Sequence, residues 1–510
     1  MALEIRTLED CTLDDCEALP QCPTHLSDVS ATPATAPASS PLHGYSSEVD
    51  SDDESCFKLD PVSLSDMDWI GFDLDHTLVR YKLDELLPLV YRCICSYLVE
   101  QRGVHSKVFD VPYDFGFCER GLVFDGRTGD LIKLDAFGCV RIACHGYSAT
   151  SDFVTGVSQG SGRFLSTDEV HQRYGADAWR GLNELRQNWR AEDADIFATL
   201  FEVPACQAAA LLVDEIDRQA LQGAASTEGA NAYASILPDI RAALHKHMKW
   251  ENFAKREGGY FPCLAEQVDK FVLPRETVRS WLENLRRAGG KRLFLLTNSN
   301  WDYADMVMAA AFGSDWRDLF DLSVYRASKK GGFFDHRRPF KTFQRESLGE
   351  QAMPHGLKAA HKAGIMEFVE GNVKDLSELF GEDASVLYFG DDLNGDITIT
   401  HRRSEWHTAA VVEELCEHTP ATPWGPIFSF SSDVFEPSKS GSFERSFSAE
   451  EASDSSSASH ILEMVASTAD FALPDLATIT SHPLKHKFDH GCVFMGAPPS
   501  KNISKQVAIS

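Results

Sequence analysis

Three short clusters could do chemistry in this chain: Asp73-Leu74-Asp75-His76-Thr77, Thr297-Asn298, and Asp391 with Asp396. Asp73 and Asp75 are two residues apart, so where a strand loosens both carboxylates can face one cavity. Converging carboxylates repel unless a cation lies between them. Oxygen donors without Cys or His suit magnesium, which favours hard ligands and retains waters. Such a cation lets an anionic phosphate approach Asp73, the candidate nucleophile, which would form an aspartyl-phosphate. Asp75 is the candidate acid and base: it protonates the departing alkoxide and later deprotonates water. Thr297 and Asn298 can donate hydrogen bonds to phosphate oxygens, and a lysine can neutralise charge on the transferring group. Lys329 and Lys330 compete for that place in Ser328-Lys329-Lys330-Gly331-Gly332-Phe333-Phe334. Asp391 is preferred over Asp392 because it directly follows the glycine that ends an apolar run. Alone, the first cluster also fits a strand running into an Asx turn; three clusters at the ends of three apolar runs favour chemistry.

Those runs are the elements that must position the clusters. Trp69-Ile70-Gly71-Phe72 leads into Asp73, Leu293-Phe294-Leu295-Leu296 into Thr297, and Val386-Leu387-Tyr388-Phe389 into Gly390-Asp391; Ala409 to Val412 is a further strand. Val278, Trp281, Leu282 and Leu285 predict a helix before the second run, stopped at Gly289-Gly290, and another helix spans about 301–311. Helices alternate with continuously apolar strands, which predicts an α/β fold with a doubly wound, Rossmann-like parallel sheet. Ligands bind at the carboxyl ends of such strands. Residues 83–275 break the rhythm. Leu83, Leu87, Val90, Ile94 and Leu98 predict a helix starting near Pro88. Residues 129–134 and 139–142 read as a hairpin, and helices are expected near 178–188, 206–219 and 238–249. This is a separate α+β insert after the first strand. The segment 1–66 is expected to be mostly a disordered leader, being poor in large apolar groups, and 428–459 a disordered Ser-rich insert whose extra Phe would allow partial docking. Residues 460–490 would close the sheet with one more strand and helix, and 491–510 would be a flexible tail.

Composition narrows the partners. Forty-eight Lys and Arg against 77 Asp and Glu give a net charge of −29, which opposes a nucleic-acid polymer or an anionic membrane surface. A small anionic substrate remains compatible through a locally positive pocket. Thirteen scattered Cys without a CxxC read as reduced thiols of a cytoplasmic protein. No secretory signal or membrane-spanning run is expected. A homo-oligomer is left as an option.

The ordered motifs Asp73-Leu74-Asp75-His76-Thr77, Thr297-Asn298-Ser299, Lys330 and Gly390-Asp391-x4-Asp396 resemble those of haloacid dehalogenase-like phosphohydrolases. Gly121-Leu122-Val123-Phe124-Asp125, Cys144-His145-Gly146 and Tyr388-Phe389-Gly390-Asp391 narrow the resemblance to cytosolic purine 5′-nucleotidase and the 5′-nucleotidase domain-containing family. His76-Thr77-Leu78-Val79-Arg80-Tyr81 is most like the type 1 branch. The resemblance spans about 68–425 and 469–485. It implies a core at 67–82 and 276–427, with 83–275 as a cap that selects the leaving group. It implies Asp73 as nucleophile and magnesium ligand, and Asp75 as acid/base and as a ligand through its main-chain carbonyl. Asp391 would be a further ligand with Asp396 nearby, and Thr297, Asn298 and Lys330 would hold phosphate. The Gly-Gly-Phe-Phe that follows sets the family register on Lys330. The implied substrate is a small phosphorylated metabolite, foremost a nucleoside 5′-monophosphate. Two positions depart: Asp392 replaces a histidine, and the cap's basic–acidic pair becomes Arg241 with His245. His145 and Tyr147 are further candidates for a base or ribose contact. An inactive scaffold that keeps the fold is the alternative reading, and a phosphoprotein phosphatase fits a large cap poorly.

Overall fold

The apolar run Trp69–Phe72 forms the middle of an eleven-stranded sheet. The computed structural model describes residues 61–494 except 149–161, 183–189, 192, 224–231, 256, 336–337, 345–348, 354, 417–421, 430–443, 447–457 and 491. Most of the expected leader, most of the Ser-rich insert and the tail beyond 494 therefore lie outside the described residues.

Eight strands run parallel, in the spatial order Glu367–Glu370, Leu322–Tyr325, Arg292–Leu296, Trp69–Phe72, Val386–Gly390, His407–Val411, Phe471–Leu473 and Cys492–Phe494. Antiparallel strands Phe340–Gln344 and Gly349–Ala352 finish one edge, and Glu444–Ser446 finishes the other. The chain winds outward from Trp69–Phe72 first to one side and then to the other. The winding reverses at that strand, which opens a crevice beyond its carboxyl end. Leu322–Tyr325 and Glu367–Glu370 were not singled out in the sequence, and the sheet runs on past residue 490 to Cys492–Phe494.

Interior packing follows from the apolar runs. Helix Glu276–Arg287 buries Val278, Trp281, Leu282 and Leu285, the four positions its periodicity marks. Phe72 stacks on Phe389 at 5.2 Å between ring centroids and Trp69 on Phe380 at 4.2 Å. Gly71 has no side chain for a physical reason: a Cβ there would lie 2.1 Å from the Phe294 ring.

The chain leaves the core through Arg80–Tyr81 and returns through Val272–Leu273, and these two segments pair antiparallel. Between them lies a five-stranded antiparallel sheet, in the order Val140–His145, Asp130–Leu134, Val123–Asp125, Ala194–Ile196 and Arg190–Ala191. The expected hairpin is its Asp130–Leu134 and Val140–His145 pair. Helices Leu83–Arg102, Val203–Leu221 and Ile236–Met248 pack together beside it. The first of these starts five residues before Pro88 rather than at it. The proline frees only the carbonyl of Asp84, an exposed residue where water can take the bond. The helix expected near 178–188 falls mostly on residues outside the description.

Both linkers are gripped by one carboxylate. Asp475 accepts from Arg80 at 2.7 Å and from Arg275 at 2.8 and 3.0 Å. Burial alone would raise this carboxyl, but Arg275 and Arg80 overcome it and hold it below the ordinary range. Its contribution is therefore complete above the ordinary carboxylate pKa of about 4 and drains away as pH falls through the lower folded value. Asp475→Asn should cost about 3 kcal/mol in urea titrations at pH 7, because two guanidinium groups lose a buried partner. The deficit should shrink as the same titrations are repeated below about pH 4. An unchanged midpoint at neutral pH would show the linkers to be held by other means.

Candidate active site

The register of the three middle strands brings the clusters to one edge. Phe72 is level with Leu295 on one side and Phe389 on the other. Asp73, Thr297 and Asp391 therefore follow the ends of adjacent strands, and the Asp73 amide donates to the Phe389 carbonyl at 2.8 Å. Asp73, Asp391 and Asp396 are buried, and each offers an oxygen within 4.8 Å of the others. Gly390 makes room for this: a Cβ there would sit 2.2 Å from the Asp396 Cβ.

Burial raises the Asp73 carboxyl well above its ordinary range; Asp396 and Asp75 add to this, and Lys329 opposes it. Burial likewise raises Asp391, with Asp73 and Asp396 adding and Arg120 opposing. Like charges out of water are unfavourable without a cation. Three carboxylates against the Lys329 ammonium and the Arg120 guanidinium still leave negative charge in excess, and the donors are oxygen only. That set fits a hard divalent cation such as magnesium, which Asp73, Asp391 and Asp396 would hold.

The Asp75 carboxylate is not one of this group. Its Oδ1 accepts from the Tyr81 hydroxyl at 2.5 Å and lies 3.3 Å from the Tyr303 hydroxyl. Its Oδ2 accepts from the Ser299 hydroxyl at 2.9 Å. His76, the next residue, has φ of 55°, a left-handed conformation that is costly for a side chain and clusters at functional turns. Its Nδ1 lies 3.3 Å from Glu413 Oε2, and Arg80 pairs with the other oxygen of Glu413 at 2.9 Å.

Thr297 is buried, and its hydroxyl accepts from the Ser299 amide at 3.0 Å. Asn298 is exposed, and its Oδ1 accepts from the Lys329 amide at 2.9 Å. The two lysines exchange the places the motif register gives them. Lys329 is buried, with Nζ 2.6 Å from Asp73 Oδ1, paired with Asp396 Oδ1 and 3.1 Å from the Tyr388 hydroxyl. Burial would lower its ammonium, but Asp396 and Asp73 outweigh that and hold it charged. Lys330 instead pairs with Asp392 at 2.8 Å. The cause is local. Ser328 is left-handed, with φ of 52°, and opens the short 3-10 turn Lys329–Gly331. Successive side chains in such a turn point about 120° apart, so one lysine faces the carboxylates and the other the rim.

A cleft of about 390 Å³ opens beside Asp75, Asn298 and Ser299. Its other wall comes from the insert: Phe201, His245, Lys249, Trp250 and Tyr260. Of the cap residues singled out in the sequence, His245 lines it. Arg241 does not; its guanidinium pairs with Asp195 of the insert's own sheet. His145 lies between Asp130 and Asp217, at 2.6 and 3.1 Å, and the Tyr147 hydroxyl donates to Asp114 at 3.2 Å. Neither is among the residues lining the cleft. Sequence reasoning passed over Tyr81, Tyr303, Arg120, Glu413 and Glu414. Tyr81 and Arg120 adjoin motifs that were noticed; the other three carry no local signal.

Residues 56–422 match the model of the 5′ nucleotidase family. The chain is 30% identical over 364 residues to human 5′-nucleotidase domain-containing protein 1, covering 69% of this chain and 73% of that protein. The Bos taurus protein of the same name is also 30% identical, with 69% and 74% covered. Rattus norvegicus 5′-nucleotidase domain-containing protein 2 is 28% identical over 358 residues, with 69% and 58% covered. No helix among the described residues is long and apolar enough to cross a membrane. The match over residues 56–422, a stretch that contains the strand-end carboxylates and the buried lysine, shows that this chain belongs to the 5′-nucleotidase family.

Proposed function

We propose that this 5′-nucleotidase-like phosphatase hydrolyses a nucleoside 5′-monophosphate with magnesium, in the cytoplasm, on a haloacid dehalogenase-like core whose insert acts as the cap. The observation that carries the reading is the convergence of Asp73, Asp391 and Asp396, with Lys329 paired to the first and the last and Asp75 beside a cleft. Bound magnesium would offset the negative charge between carboxylate and phosphate. The Asp73 carboxylate attacks phosphorus, and the bond from phosphorus to the nucleoside oxygen breaks. Asp75, protonated at the start of the step, gives that oxygen its proton, so a nucleoside leaves and an aspartyl-phosphate remains on Asp73. Asp75, now a carboxylate, takes a proton from water. The water oxygen bonds to phosphorus, the bond to Asp73 breaks, and phosphate leaves. Lys329 balances charge on the transferring group, while Asn298 fixes the lysine's main chain and presents its amide to phosphate. The cleft volume suits a nucleoside, and Phe201, Trp250 and Tyr260 give it flat apolar walls. The eight described cysteines that are free thiols fit a reducing compartment.

The test is phosphate release from a panel of nucleoside monophosphates and sugar phosphates with magnesium. Silence across that panel would end the proposal. Asp75→Asn should slow nucleotide hydrolysis by about 10²–10⁴-fold. The loss should be much smaller in the burst of p-nitrophenolate from p-nitrophenyl phosphate, which reports formation of the aspartyl-phosphate, because a phenolate leaves without a proton. An equal loss in that burst would remove Asp75 from the acid role, whereas steady-state turnover should fall on both substrates because Asp75 also activates the water.

A further inference from the structure

Arg120 is the most deeply buried arginine of the described residues, 2% exposed. It comes from the insert, just before the strand Val123–Asp125. Its Nε and Nη2 donate to the two oxygens of Glu414 at 2.9 and 2.5 Å. Its Nη1 donates to the main-chain carbonyl of Asp391 at 2.9 Å and lies 3.9 Å from the Asp391 carboxylate. Glu414 stands on the turn that follows His407–Val411, so the guanidinium joins the insert to two core segments at once.

We propose that Arg120 is a positioning residue for Asp391, so that the cap completes the cation site; this rests on the phosphatase reading above. A plain ion pair between cap and core needs only Glu414. The third contact goes to the main chain of the residue that must hold a metal. That choice has a consequence. A direct bond to the Asp391 carboxylate would draw it from Asp73 and Asp396. Held by its carbonyl instead, Asp391 keeps its oxygens free, because 3.9 Å is beyond hydrogen-bond length. The rigid guanidinium fork can span a carboxylate and a carbonyl together, which a lysine ammonium cannot.

The segment carrying Arg120 is itself anchored. Its neighbour Glu119 pairs with Lys133 at 2.7 Å and accepts from the Thr422 hydroxyl at 3.0 Å. Lys133 donates to the carbonyls of Trp424 and Pro426 at 3.0 and 2.7 Å. The Trp424 indole donates to the Phe117 carbonyl at 2.7 Å. This border of the cap thus sits at a fixed distance from Asp391.

The test compares full-length wild type, Arg120→Gln, Arg120→Lys and Glu414→Gln by manganese titration followed by electron paramagnetic resonance, beside thermal melts. Positioning predicts that Arg120→Gln weakens manganese binding by about 10–100-fold. Arg120→Lys should also weaken it, although the charge is kept. The magnesium concentration for half-maximal phosphate release should rise by the same factor, with KM for nucleotide at saturating magnesium unchanged. If Arg120 acted by charge alone, Arg120→Gln would bind manganese more tightly; that result, or wild-type affinity, overturns the proposal. Should Arg120→Gln fail to fold, wild-type manganese affinity in Glu414→Gln overturns it, and a loss of affinity there supports it. A wild type that binds manganese but releases no phosphate would defeat the phosphatase reading, and the titrations would still decide the role of Arg120.

Discussion

Asp73→Asn is expected to reduce phosphate release by on the order of 10⁴-fold or more, with the fold retained. The amide keeps the shape of the carboxylate but cannot attack phosphorus, and no neighbour can replace it. Asp391 and Asp396 follow a different strand, and Asp75 points into the cleft against Tyr81 and Ser299. Lys329 keeps Asp396 as its partner in the variant, so thermal melting should move little. Rates measured with the most active nucleotide would settle the point. Residual turnover above about one hundredth of wild type would mean that water attacks directly and that Asp73 serves only the cation.

Lys329→Ala should cost on the order of 10²–10³-fold in kcat, whereas Lys330→Ala should change it by no more than about threefold. These opposite outcomes separate the geometry from the motif register. Lys329 lies inside the carboxylate group, and Lys330 lies at its rim on Asp392. Lys330 is held above its ordinary range by Asp392 and by Glu202 of the insert, against the effect of burial. It stands at the rim of the carboxylate group on Asp392, where its loss should appear in KM before kcat. Steady-state kinetics on both alanine variants, with magnesium saturating, is the measurement. A severe kcat loss in Lys330→Ala with a mild one in Lys329→Ala would show that the turn at Ser328 rearranges when substrate binds.

The parts of this molecule that were legible in sequence are those where local pattern and final environment coincide. Trp69–Phe72, Leu293–Leu296 and Val386–Phe389 are apolar throughout because the sheet is covered on both faces. The parallel sheet and the edge that carries the acids followed from that. Leu322–Tyr325 and Glu367–Glu370 were missed because Ser323, Glu367 and Glu370 interrupt the apolar run. Lys329 and Lys330 are identical in kind and adjacent, so only the left-handed Ser328 decides which one turns inward. Arg241 was singled out with His245 as the match to the cap's basic–acidic pair, against the alternative of plain exposure on a helix. The partner, Asp195, is 46 residues away on a strand. Glu413 and Glu414 resemble any exposed acidic pair until the fold presents His76, Arg80 and Arg120 to them.

The grip of Asp475 on Arg80 and Arg275 bears on how the molecule comes into being. A ribosome makes the departing linker nearly 400 residues before the side chain that fastens it. At about 5–20 residues per second, the nascent protein passes on the order of tens of seconds with both crossings made and Asp475 still missing. The Asp475 clamp therefore arrives late in synthesis, and a message broken between the codons for Asp396 and Asp475 would yield every acid of the reaction centre without that clamp on the two crossings.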